Sequence, residues 1–124
     1  MSQGRVAFYG VALIYMIGVV VQFLLAGLAL FGTSNYDTHR WLGFVLAVIS
    51  LVLLALAIGA KLPRSVTALS TVLVALNVVQ IVLIQLDVEE LQALHVVNAL
   101  AIAFVANMLM HRSRRYLASK IATT

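Results

Sequence analysis

Two side chains in this chain could bind a metal centre: His39, in the stretch NYDTHRWLG, and His95, in LQALHVVN. Each stands where a long apolar run begins, and the residues from Trp41 to Ala60 beyond His39 carry no charge at all. A neutral imidazole is the commonest metal ligand and titrates near neutrality. Cysteine is absent, which excludes disulfides, iron–sulfur clusters, thiolate metal sites and covalent c-type haem attachment. Zinc at His39 and His95 would need Asp37 or Glu90 as a third ligand, and no other residues stand at metal-ligand spacing. No GxSxG or HExxH occurs, and no acid, base and nucleophile gather within the apolar runs, so hydrolytic catalysis by this chain alone is not expected.

The elements that must position the two rings follow from composition. Of the 124 residues, 64% are hydrophobic and 10% charged, and the mean hydropathy is +1.11. A water-soluble domain carries about 25% charged residues, so this chain belongs in a bilayer. Charges divide it into four apolar runs, Val6 to Phe31, Trp41 to Ala60, Ser65 to Leu86 and Leu91 to Met110. A run of about twenty residues makes a helix roughly 30 Å long, enough to cross the hydrocarbon layer. Backbone groups in lipid must bond within their own segment, so helices are expected. The links GTSNYDTH, KLPR and DVEE are short, which forces neighbouring helices antiparallel. The expected fold is all-α: an integral membrane four-helix up-down-up-down bundle in one domain over 1–124, with helices about 6–32, 39–61, 65–86 and 90–112. No internal repeat is evident. The first run is too long for a signal-peptide core and reads as a retained helix.

Basic residues set the expected orientation. Arg5, Lys61, Arg64, Arg112, Arg114, Arg115 and Lys120 fall on the side of the two termini and the middle link. Arg40 and all four acids, Asp37, Asp87, Glu89 and Glu90, fall on the other. The positive-inside rule then places both termini in the cytoplasm of a cell-membrane protein. The same bias explains the net charge of +4 without nucleic acid, and it argues against dual-topology fluoride channels. Proton-coupled exporters need a carboxylate within a span, and none is present. Asp37 is expected to cap the second helix, and Asp87 with Glu90 has capping-box spacing.

Polar residues inside spans turn to the bundle interior. Counting from the span ends puts Gln22, His39, Asn77, Gln80, His95 and Asn98 in the outer half. At about 100° per residue each helix has one stripe of polar and small residues. These run through Tyr15, Gly18, Gln22 and Ala29; His39, Gly43, Leu46, Ser50 and Ala57; Ser70, Asn77, Gln80 and Ile84; and His95, Asn98, Ile102, Ala106 and Leu109. The four amides can serve simply as interhelical hydrogen bonds, contributing about 0.6 to 2 kcal/mol each. His111 lies off the His95 face, beside the basic tail.

His39 and His95 begin helices 2 and 4, which are diagonal in such a bundle, at nearly one depth. Two neutral imidazoles on facing helices are what bis-imidazole ligation of a b-type haem requires. Gly43, one turn from His39, would admit a flat macrocycle, Arg40 could pair with a propionate, and Asn98 could orient an imidazole. His39 and His95 are thus the candidate metal ligands, with Arg40, Gly43 and Asn98 as further cofactor-binding residues. One haem with transmembrane electron transfer needs other membrane subunits as partners, and a quinone could visit the same outer polar site. The competing expectation is a cofactor-free structural or accessory subunit.

The diagonal histidines resemble the cytochrome b four-helix core, and THRWLG before an apolar run resembles the His-Arg helix start of the haem A synthase family. The whole chain resembles a family of short, uncharacterised prokaryotic four-helix membrane proteins, through QFLLAGLALFG, DTHRWLGFVLA and LHVVNAL. In two-haem cytochrome b cores the histidines of one helix recur near 14 residues. Here those positions hold Leu53 and Leu109, a departure that limits the resemblance, so one haem is expected, not two.

Overall fold

In a computed structural model, residues 3–86 and 88–121 are described. Four α-helices follow in order: α1 (Gln3–Leu30), α2 (Asp37–Gly59), α3 (Arg64–Gln85) and α4 (Glu89–Ile121). All four are long and apolar enough to cross a membrane, so the chain is a multi-pass membrane protein. Each helix packs against two others, α1 and α3 both against α2 and α4, which leaves α1 and α3 on one diagonal and α2 and α4 on the second.

The helices start and stop where local chemistry allows. Gly32, with φ +74°, ends α1 in a Schellman motif, its N–H bonded to the Ala29 carbonyl and that of Thr33 to Leu28. Lys61 does the same for α2 at φ 49°, with bonds from Lys61 to Ile58 and from Leu62 to Ala57. Pro63 then starts α3 as its N-cap, where no N–H is needed. Asp37 is not the cap of α2. It is the first helical residue, and its N–H is bonded by the Asn35 side-chain oxygen at 3.1 Å, so its charge contributes through the helix dipole instead. Asp87, and with it the expected Asp87–Glu90 pair, lies outside the described residues. α4 continues past the expected stop near 112 because the tail RSRRYLASK contains no Gly or Pro to end it.

Burial repeats from the pair α1–α2 to the pair α3–α4. The buried residues of α1 are Phe8, Ala12, Tyr15 and Val19, and those of α3 are Val66, Ser70, Leu73 and Asn77, each 58 positions on. In α2, Leu46, Ser50, Leu53 and Ala57 are matched 56 positions on by Ile102, Ala106, Leu109 and Ser113 in α4. The structure therefore contains an internal repeat of two helix pairs, α1–α2 and α3–α4, that the residue types do not announce. Gln22 and Gln80 occupy equivalent places in it, and so do His39 and His95. The outward faces carry Ile14, Val48, Val97 and Phe104, all more than half exposed, as lipid-facing surfaces require.

Midway down, the Asn77 amide donates to the Tyr15 hydroxyl at 2.8 Å and to the Leu73 carbonyl at 2.8 Å. This bond joins the diagonal helices α1 and α3 through a side chain only 1% exposed. Interhelical hydrogen bonds in bilayers are worth about 0.6 kcal/mol on average and up to about 1.7. Tyr15→Phe is expected to destabilise the bundle by that amount, read as a lower thermal midpoint in detergent. An unchanged midpoint would mean that the pair contributes nothing.

Candidate functional site

The two histidines meet at one end of the bundle, with ring centroids 6.3 Å apart and ring planes at 63°. His39 is placed by the first turn of α2, and His95 by the second turn of α4. Each ring is fixed by the helix preceding it in its own helix pair. His39 Nδ1 lies 3.2 Å from the main-chain oxygen of Gln22, and His95 Nδ1 lies 3.2 Å from that of Gln80. With each Nδ1–H donating to a carbonyl, both rings take the tautomer whose Nε2 carries a lone pair. A backbone carbonyl on the second nitrogen is also what orients metal-bound imidazoles. Tyr36 stands edge-on to His39, at 6.2 Å and 81°.

The two halves of the site then diverge. The Gln80 amide donates to His95 Nε2 at 3.0 Å and to the His95 carbonyl at 3.1 Å. Asn98 holds Gln80 in turn, donating to its Oε1 and to the Leu76 carbonyl at 2.9 Å. In the first helix pair the position equivalent to Asn98 is Leu42, and Gln22 Oε1 is buried with no hydrogen-bond partner among the described residues. Asn98 thus acts on His95 through Gln80, one residue further out than its spacing suggests. Gly43 faces the Gln22 amide, and a Cβ there would lie 3.0 Å from Gln22 Nε2. Its small size makes room for that amide.

A cavity of about 690 Å³ joins these groups, within the about 300–1,000 Å³ typical of ligand and cofactor sites. Residues of all four helices line it, including Gln22, His39, Arg40, Gly43, Gln80 and His95, and its floor is Tyr15 with Asn77. Arg40 is exposed at its rim. Asn98 is not among the lining residues. Gln92 is, a residue not singled out from the sequence. His111 is exposed near the far end of α4, away from this cluster.

Two imidazoles sharing a metal at about 2.0–2.1 Å each have ring centroids roughly 6 Å apart; here the centroids are 6.3 Å apart, but the rings meet edge to face and His95 Nε2 is bonded to the Gln80 amide. One rearrangement is required, because the Gln80 amide must leave the lone pair of His95. Among the described residues no group of three or more His, Cys, Asp or Glu converges, so zinc with Asp37 or Glu90 as third ligand is not assembled. Leu53 and Leu109, where a second haem would need ligands, are fully packed in the core at 0% and 1% exposure.

Against known proteins, a family model described as "Family of unknown function (DUF6220)" matches residues 22–86, more than half of the chain. The matched segment runs from Gln22 to the end of α3 and contains His39, Arg40, Gly43 and Gln80. No curated protein and no solved structure matches.

Proposed function

The chain belongs to the family of unknown function DUF6220, and from that starting point we propose that it is a b-type haem protein of the membrane. One bis-histidine haem would bind between His39 and His95, and the protein would act as an electron-transfer or accessory subunit of a larger membrane complex. The observation that carries this reading is the repeated anchoring of the two imidazoles. Each has its Nδ1–H on the main-chain oxygen of the equivalent glutamine, at the same 3.2 Å, with the rings 6.3 Å apart. Arg40 at the rim suits a propionate, and Gly43 leaves room beside Gln22. When bound, a haem supplies reversible one-electron transfer; this chain's residues bind it, orient the imidazoles and exclude water.

The up-down-up-down order belongs to the same proposal. It is supported by the contacts of Gly4 with Ala60, Gly18 with Leu46 and Gln22 with Gly43, which run in opposite senses along α1 and α2. The basic residues favour cytoplasmic termini in a cell membrane, with the histidines near the outer face.

Trp41 is the single tryptophan and stands two residues from His39. Haem titrated into the detergent-solubilised chain is expected to quench its fluorescence, saturating at one equivalent per chain. Quenching that rises without saturation, as in empty micelles, would contradict the proposal.

A cofactor-free accessory subunit is the second reading, and one observation favours it: His95 Nε2 already has a partner in Gln80. Gln80→Leu separates the two. Under the haem reading it removes a competitor for His95 and raises the six-coordinate, low-spin fraction of bound haem. Under the cofactor-free reading it only lowers the thermal midpoint.

A further inference from the structure

The opposite end of the bundle carries a binding group that the histidine site does not use. Arg5 is half-buried in the first turn of α1, with its guanidinium carbon 4.9 Å from the centroid of the Tyr116 ring. Its Nε is buried and has no hydrogen-bond partner among the described residues. An oriented donor without an acceptor costs free energy in a low-dielectric setting. Around it the charge has one sign. Gly4 lies so close to Ala60 that an added Cβ would be 3.0 Å from the Ala60 Cβ, which brings Lys61 of the α2–α3 link beside the start of α1. Arg112 stands one turn before Tyr116 on the same face of α4, and Lys61, Arg112, Arg114 and Arg115 are all exposed. The described acids, Asp37, Glu89 and Glu90, begin α2 and α4 at the histidine end.

We infer that Arg5, flanked by Arg112 and Lys61 at the α1–α4 seam, binds the phosphate of an anionic phospholipid headgroup. The guanidinium fork suits phosphate oxygens, and stacking on Tyr116 fixes its plane. A lipid is the source because the site lies at the end of membrane-spanning helices. Val6, next to Arg5, is 46% exposed and offers apolar surface to an acyl chain. Basic residues close to a membrane surface each strengthen attraction to anionic lipid by about 5-fold.

The test is native mass spectrometry of the full chain from detergent micelles holding equal phosphatidylglycerol and phosphatidylcholine. The unmodified chain is expected to retain phosphatidylglycerol preferentially. Arg5→Gln with Arg112→Gln should lower that preference by about 25-fold, while Arg5→Lys, which keeps the charge and loses the fork, falls between. Arg114→Gln, about 200° round the helix from Arg112, should lower it by no more than the general surface-charge effect of about 5-fold. Circular dichroism identifies any variant that has failed to fold, and the Arg5→Lys protein then carries the comparison. Equal retention of the two lipids, an undiminished preference in the double variant, or displacement of the lipid by millimolar inorganic phosphate would overturn the inference.

Discussion

His39→Ala and His95→Ala are each expected to lower haem affinity by more than 100-fold and to abolish the low-spin Soret spectrum. Loss of an outer-shell partner of a metal site costs about 10–100-fold, and these substitutions remove the ligands themselves. The rings come from different helix pairs and are held by different carbonyls, those of Gln22 and Gln80, so neither replaces the other. Both are half-buried and neither belongs to the core, so the variants should fold. Free imidazole should restore part of the low-spin spectrum in each, because the space vacated is the size of the added ring. His111→Ala, exposed near the other end of α4, should change nothing. Affinity unchanged in both ligand variants would show that any haem is held elsewhere.

Gly18→Leu is expected to destabilise the bundle by about 1–3 kcal/mol, the usual effect of overpacking a tight interface. A Cβ at Gly18 would fall 2.6 Å from Leu46 Cδ2, and Leu46 is only 4% exposed, so it must shift to make room. The higher helix propensity of leucine offsets under about 1 kcal/mol of this. Leu46 also lines the cavity, so the disturbance should reach the histidine site and weaken haem binding as well. Gly27 provides the contrast. A Cβ there meets nothing within 4 Å, yet the residue lines the same cavity. Gly27→Leu should therefore leave the thermal midpoint near that of the unmodified chain while reducing haem uptake. A stable Gly18→Leu protein would contradict the close approach of α1 and α2.

Much of this arrangement is legible in the residues. Charge spacing delimits the first three helices because acids, bases and the single proline stand at their ends, but it stops α4 too early, since Arg112, Arg114 and Arg115 lie within that helix. The 3.6-residue period identifies the inward stripes, and Leu46, Ser50, Ala57, Ser70, Asn77, Ile102, Ala106 and Leu109 are indeed buried. Ile84, placed on a stripe by the same count, is 43% exposed because α3 ends one residue later. The internal repeat is hidden for a physical reason. The α1–α2 link is longer than the α3–α4 link, so the offset drops from 58 to 56 positions, and no single period aligns both helices. Equivalent sites also hold different apolar types, as with Phe8 and Val66 or Tyr15 and Leu73, since lipid-embedded packing selects size and shape locally. The hold of Gln80 on His95 was equally out of reach, because it depends on the relative rotation of α3 and α4 and on rotamers that spacing does not specify. The cap position expected of Asp37 falls to Tyr36, whose side chain makes no capping bond, because the helix begins one residue earlier than a capping Asp37 would require; Asn35 bonds the Asp37 N–H instead.

The most direct test of the central claim is the absorption spectrum of the purified full-length chain, as isolated and after addition of one equivalent of haem, oxidised and then reduced. Ligation by His39 and His95 predicts a saturable low-spin spectrum, with a sharpened Soret band and resolved α and β bands on reduction. A protein that stays colourless as isolated and leaves the spectrum of added haem unchanged in both oxidation states would contradict it.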